Sequence, residues 1–349
     1  MKNKATKKYK KRSSKASLII KVSLLLIASL AICVTAYGVY LTKQVEHAAD
    51  SAHEKLEGRE VSALRETKVE PIHDNVSILF VGVDDSDNRG QGSDHSRSDA
   101  LVLATLNNKT HTIKMLSIPR DSYVYIPKVG YKDKITHAHA MGGTLTTIKT
   151  VENLLDIPID YYVRMNFNAF IDVVDALGGI EAEVPYALHE LDEFDKFTIN
   201  LKPGMQHLNG SEALALARTR KQDSDIERGK RQQEILSAII TKVASASSIT
   251  KYDDVIKALG NNMKTDMTFD EMKSFLSYLS GGVPRIDTLT LDGSDDMSTG
   301  IYYYQLNQAS VNEVSETLKN HLGLDETSSS LTNNDTDSDS DSSEETSVN

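Results

Sequence analysis

The stretch "ARTRKQDSDIERGKRQQ" (217–233) gathers Arg218, Arg220, Arg228 and Arg231, with Lys221 and Lys230, in an otherwise acidic chain. A guanidinium presents a planar fork of donors that matches two phosphate oxygens at once. If Asp225 caps a helix that opens here, Arg228, Arg231, Gln232 and Ile235 fall at i, i+3, i+4 and i+7 of one face. That face continues through Ile239 and Val243, an apolar stripe suited to packing on a sheet. The two arginines therefore extend the buried face of the helix. Arg218 and Arg220 reach the same helix N-terminus, whose unpaired N–H groups and dipole favour an anion. Four guanidinium groups converging there repel one another unless acids or a bound polyanion offset them. Snorkelling arginines or simple ion pairs are the plainer reading. A phosphate or pyrophosphate pocket accounts better for the convergence.

A second constellation points the same way. "GVDDSDNRGQGSDHSRSDA" (82–100) sets many carboxylates in a glycine-containing loop between two strands. Oxygen ligands of this kind suit a hard cation such as Mg²⁺, which beside a pyrophosphate would neutralise charge on the transferring group. A solvated acidic loop is the alternative. "IPRD" places Arg120 and Asp121 just after a strand, where sites on open sheets lie, and Lys134 follows in "YKDKITHAHAMGG". His137 and His139 have no third soft ligand nearby, and Gly142–Gly143 reads as a turn. No G-x-S-x-G supports Ser-His-Asp catalysis.

These residues need a scaffold, and the pattern supplies one. "VSILFVGV", "ALVLATLN", "HTIKMLSIP", "SYVYIP", "IDYYVRMN", "IEAEVP" and "RIDTLTL" read as strands. Helices are expected over 142–157, in "FNAFIDVVDALGG" closed by Gly178 and Gly179, around 211–218, 226–244 and 269–279, and in "NQASVNEVSETLKNHL". The alternation predicts an α/β (α+β) sandwich, one mixed sheet flanked by helices.

Charge divides the rest of the chain. Residues 1–21 hold nine Lys or Arg and no acid; without them, 30 bases face 50 acids. "VSLLLIASLAICVTAYGVYL" (22–41) is uncharged, and as a helix would extend about 30 Å, a bilayer's hydrocarbon thickness. The basic run then stays cytoplasmic by the positive-inside rule. A cleaved signal peptide is the rival reading, but the apolar run is long and "AYGVYLTKQ" is a poor cleavage site. The chain is thus expected in the cell membrane, single-pass, N-terminus cytoplasmic and C-terminal domain extracellular. That topology explains the basic tail without a nucleic-acid partner. The one cysteine, Cys33, lies in the apolar run, which excludes a thiol nucleophile and disulfides elsewhere. Val45, Ala49, Ala52 and Leu56 predict a stalk helix ending near Gly58 within a 42–70 linker. The globular body spans 71–324, and 325–349, rich in Ser and Asp, is expected to be disordered.

The motifs "GVD", "SRSDALVLATLN", "MLSIPRDSYVYIP", "KITHAHAMGG", "NFNAFIDVVDALGGIEAEVP", "LNGSEALALARTR" and "DSDIERGKRQQ" occur in order over about 77–245. In this the chain resembles the LytR–CpsA–Psr (LCP) family of Gram-positive cell envelopes. The resemblance implies a phosphotransferase that moves a glycopolymer (teichoic acid, capsule or a related anionic polysaccharide) from a polyprenyl-pyrophosphate carrier to peptidoglycan. It forms a phosphodiester and releases polyprenyl phosphate. It also implies an apolar lipid cavity between helices and sheet. Carried over by motif, Arg97, Arg120, Arg218, Arg220, Arg228 and Arg231 would grip the pyrophosphate, with Asp225 among the catalytic set. Lys134 and Gln232 would bind substrate near the head group, and Asp84 and Asp99 would hold Mg²⁺ (or Mn²⁺). Asp85 and Asp87 crowd Asp84, and Glu227 stands where the family often has a small residue. Two other function classes remain open at this level: a membrane-bound regulator of the attenuator type, and a glycan-binding scaffold without turnover.

Overall fold

The computed structural model describes residues 40, 43, 46–83, 96–194, 196–220, 224–245 and 263–324. The expected apolar span (all but Tyr40), the basic tail, the loop aspartates Asp84, Asp85 and Asp87 and the acidic tail lie outside them. Among the described residues no helix is long and apolar enough to cross a membrane.

A six-stranded sheet forms the centre, in the order β11-β6-β1-β2-β3-β12. Its members are β1 (Val76–Val83), β2 (Ser98–Asn107), β3 (Thr112–Ser117), β6 (Tyr161–Met165), β11 (Met263–Thr265) and β12 (Arg285–Thr290). β1 pairs antiparallel with β2 and β2 with β3, whereas β6 and β12 join in parallel to β1 and β3. The sheet is mixed, as the sequence predicts. Successive side chains alternate faces, so Leu79, Val81, Leu101 and Leu103 enter one core with α2 (Ile135–Leu155) and α7 (Gln308–Leu322). Ile78, Val102, Ala104 and Met115 enter the other, beneath α5 (Asp225–Ala244) and α6 (Phe269–Ser280).

A third core joins α3 (Phe167–Ala176), α4 (Gly210–Arg218) and α5 to a two-stranded sheet and a small hairpin. These are β7 (Ile180–Val184) with β10 (Gly204–Leu208), and β8 (Leu188–Leu191) with β9 (Phe197–Leu201). Two further hairpins flank the sheet on the α2 and α7 side: β4 (Tyr123–Ile126) with β5 (Tyr131–Lys134), and β13 (Gly293–Asp296) with β14 (Tyr303–Leu306). Val124, Leu291 and Leu306 tie them to that core. The β13–β14 hairpin is not foreseen from the sequence, because its strands carry little apolar alternation.

Two boundaries differ from expectation. The helix expected over 142–157 begins at Ile135 and is broken at Gly142 and Gly143, the latter at φ 68. The "ITHAHAM" turn is helical because Ala138 and His139 are buried against the body, a tertiary effect that local pattern does not carry. Val45 of the expected stalk helix lies outside the described residues, but residues 48–70 pack on the body. The helix, α1 (residues 46–52), stops six residues before Gly58, and Ala49, Ala52 and Leu56 are buried. Arg59 donates two bonds of 3.0 Å to Glu152, and Arg65 grips Asp160 at 2.9 and 2.8 Å. The fold therefore takes in residues ahead of Pro71.

His321, at the α7 end of the sheet, has its ring nitrogens 2.8 Å from the hydroxyls of Thr105 and Thr112. Burial, reinforced by Lys114, pushes its pKa down to about 4. An unfolded histidine titrates near 6.5. The unfolded chain therefore binds the extra proton between about pH 4 and 6.5, and stability falls as pH drops through that window. His321→Gln is expected to flatten the pH dependence of urea-melt stability there, relative to the unmodified chain.

Candidate functional site

The site lies where β2 begins and β3 ends, closed by the first turn of α5. The sequence expectation makes Asp225 the cap, but the cap is Ser224, whose Oγ accepts from the Glu227 N–H at 3.3 Å. Asp225 is the first helical residue, and its carboxylate is thereby released for the arginines. Its Oδ1 lies 3.2 Å from Arg228 and 3.6 Å from Arg220. α5 can approach β3 closely because Gly229 faces Ser117: a Cβ at Gly229 would meet the Ser117 Oγ at 2.5 Å.

Arg120 donates to Asp99 at 2.7 Å, and its Nε is 3.5 Å from Asp121. Lys134 holds the other Asp121 oxygen at 2.7 Å. Asp121 and Asp225 line the same small cavity, which sets the β3–β4 turn beside the head of α5. Burial alone would raise the Asp121 pKa, but Lys134 and Arg120 outweigh it and hold it low. Burial likewise opposes charge on Arg120, yet Asp99, Asp121 and Asp225 raise its pKa overall.

Arg228 is the exception. It is 6% exposed and its pKa is lowered; its Nε, like that of Arg120, has no hydrogen-bond partner among the described residues. Burial is the main cause; Asp225 opposes it, while Arg120 and Arg220 push further down. A buried guanidinium facing two others is a cation short of anionic partners.

The remaining expected residues divide. Arg218 stacks over Phe167, 4.4 Å from the ring centroid, and Arg220 is exposed at the mouth. Arg97 is exposed just before β2 and makes no ion pair with the described residues. Arg231 donates to the carbonyls of Leu216 and Thr219 at 3.2 and 2.6 Å, and Gln232 to that of Ala217 at 3.3 Å. These two bind the open C-terminal carbonyls of α4, so in this structure they position the Arg218–Arg220 segment. Asp99 lies at the site with its carboxylate one-third exposed; Asp84 falls outside the described residues. His137 bonds Asp133 and His139 bonds the Ser96 carbonyl, both at 2.8 Å, which gives each a structural role.

Two contributors are missed by sequence reasoning, and a third, Asp121, is marked there only by its place after a strand. Gln233, 1% exposed, donates to the Met115 and Leu289 carbonyls and fixes α5 on β3 and β12. The ties of Asp121 to Lys134 and Arg120 are invisible without the fold. The β13–β14 hairpin brings Tyr302, Tyr304 and Asp295 to a small cavity shared with Pro119, Asp121, Ser224 and Asp225. A broader cleft at the far end of the sheet is lined by Thr112, Lys114, Arg285 and His321. There Lys114 and Arg285 are already paired with Asp287.

On the α5 and α6 side, Phe80, Met165, Leu236, Ile240, Met272 and Phe275 are only partly buried. This incompletely covered apolar layer lies between helices and sheet, where the family resemblance implies a lipid cavity.

Comparison with known proteins agrees with this geometry. The model of the LytR_cpsA_psr family matches residues 38–320. The polyisoprenyl-teichoic acid–peptidoglycan teichoic acid transferase TagT of Bacillus subtilis (strain 168) is 42% identical over 317 residues, covering 90% of this chain and 98% of TagT. A structure of TagT bound to LIIa-WTA superposes with a TM-score of 0.68 at 42% identity, over 78% of this chain and 100% of that one. TagT with bound octaprenyl pyrophosphate lipid gives 0.63 at 38% identity, with coverage of 78% and 100%. This protein belongs to the LytR–CpsA–Psr family.

Proposed function

We propose that this chain transfers an anionic glycopolymer from a polyprenyl-pyrophosphate carrier to peptidoglycan, and that it works at the outer face of the membrane, anchored by residues 22–41. The observation that carries the reading is Arg228, buried and under-compensated beside Arg120 and Arg220. A pyrophosphate supplies the charge this cluster lacks. The relatives support the same substrate, since TagT has been solved with octaprenyl pyrophosphate lipid.

In the reaction, an acceptor hydroxyl oxygen bonds to the phosphorus nearer the glycan. The bond from that phosphorus to the bridging oxygen breaks, its electron pair leaves with polyprenyl phosphate, and the hydroxyl proton is released. Charge spreads over the equatorial and leaving oxygens, where Arg120, Arg218, Arg220 and Arg228 stabilise it. Asp225 orients Arg228 and Arg220. Asp121 orients Lys134, and Arg231 with Gln232 holds the α4 end in place.

The carboxylate of Asp99 gives one oxygen to Arg120 and stays partly open. It is a hard oxygen donor of the kind Mg²⁺ takes. Asp99 with Asp84 would hold the ion, which would offset pyrophosphate charge.

The test is the purified full chain in detergent or bilayers, given lipid-linked polymer and peptidoglycan. Polymer phosphate is expected to become covalently attached to the peptidoglycan. A chain that binds both partners and attaches none would overturn the reading in favour of a scaffold.

A further inference from the structure

The lipid-linked donor and the acceptor must reach one phosphorus from opposite sides, because attacking and leaving oxygens lie roughly in line in phosphoryl transfer. The apolar layer suited to the polyprenyl chain is on the α5 and α6 face of the sheet. The two flanking hairpins are on the opposite face: β4–β5 packs against α2, and β13–β14 packs against β4. The arginine cluster sits at the strand ends between the two.

The outer surface of the β4–β5 hairpin has a defined composition. Register places Tyr123 opposite Lys134 and Tyr125 opposite Lys132, so these four share one face, while Val124 and Ile126 turn into the protein. Tyr303 of β14 extends the strip, its ring 4.7 Å from that of Tyr123. The Lys134 ammonium lies over the Tyr302 and Tyr303 rings at 5.7 and 5.8 Å, and Lys132 over Tyr123 at 5.9 Å. Tyr125 is 42% exposed. The strip starts at Lys134, bonded to Asp121 of the site, and runs outward; Tyr123 and Tyr125 are about 7 Å apart along it. Ser122 and the Asp121 carbonyl bind the second hairpin at Tyr304, which fixes both hairpins to the site.

Tyrosine faces and edges offer flat apolar area with a polar rim, suited to the C–H faces and hydroxyls of pyranose rings. Interleaved ammonium groups suit carboxylates. We infer that this tyrosine–lysine strip is the acceptor subsite, seating a saccharide of peptidoglycan on the tyrosines and a stem-peptide carboxylate beside the lysines, so that a saccharide hydroxyl meets the phosphorus opposite the departing lipid. The inference rests on the transferase reading above.

The test uses the full chain with lipid-linked polymer and soluble, uncrosslinked peptidoglycan fragments, varied one at a time. Tyr125→Ala and Tyr123→Ala are each expected to raise the acceptor KM roughly 2- to 12-fold, the range of one aromatic contact. The double variant should exceed either alone, and Tyr123→Phe should keep the parent value because stacking needs the ring. The donor KM and the binding of octaprenyl pyrophosphate should not change. Melting temperatures identify any variant that is misfolded, and exposed Tyr125 provides a substitution that leaves the core intact. An unchanged acceptor KM in both alanine variants, or a rise in donor KM instead, overturns the subsite. Absence of transfer by the unsubstituted chain would overturn the transferase reading itself, and the subsite with it.

Discussion

Arg228→Ala is expected to lower kcat for transfer by about 10²- to 10³-fold, the cost of removing one preorganised donor from developing charge. The fold should survive. Among the described residues Arg228 holds no carbonyl of another element, and its only ion pair is with Asp225, which keeps Arg220. Deleting the side chain also relieves its repulsion with Arg120 and Arg220. Arg228→Lys should recover part of the rate, since the charge remains but the two-pronged geometry is lost. Arg231→Ala makes the contrast. Its guanidinium is bound to the Leu216 and Thr219 carbonyls, so its loss should lower the melting temperature as well as the rate. Steady-state kinetics and thermal melts on the three variants separate a residue that meets substrate from one that positions others.

The largest stability effect is expected at Glu152, far from the chemistry. Its carboxylate receives two bonds from Arg59, one from the Ser62 hydroxyl and one from the Ile159 N–H. Both ionic side chains are nearly buried, at 8% and 10% exposure. Removing one partner from such a pair leaves an uncompensated charge and costs about 3–5 kcal/mol. For a domain of this size that is a fall of roughly 6–20 °C in melting temperature. Glu152→Ala should therefore loosen the segment that runs from α1 into β1, and residues near Arg59 should become the first sites of limited proteolysis. Transfer kinetics measured well below the transition should change little. Full retention of the melting temperature would mean the Arg59–Glu152 link contributes nothing to the fold.

How far the sequence reveals this arrangement follows from the range of each interaction. The α5 face is local, so the spacing of Arg228, Arg231 and Ile235 identifies it, and all three are buried. The central strands are apolar on both faces and are equally legible. Caps depend on a single side-chain oxygen, and "DSD" offers three neighbouring candidates; the helix uses Ser224 and leaves Asp225 for the arginines. Burial does not distinguish Arg228 from Arg231, because what separates them is the position of the α4 carbonyls. The partners of Gln233 lie 118 and 56 residues away, and Tyr303 meets Tyr123 across 180 positions. No local pattern encodes such pairings, which is why the acceptor strip and the sheet anchor emerge only from the fold.

The central claim is that the arginine cluster serves cleavage within a lipid pyrophosphate. The most direct measurement is the identity and amount of the lipid product when purified chain, lipid-linked polymer and peptidoglycan react together. Polyprenyl monophosphate should be released in a 1:1 ratio with polymer joined to peptidoglycan through a phosphodiester. Release of polyprenyl pyrophosphate, with polymer attached through a bond that lacks phosphorus, would contradict the account.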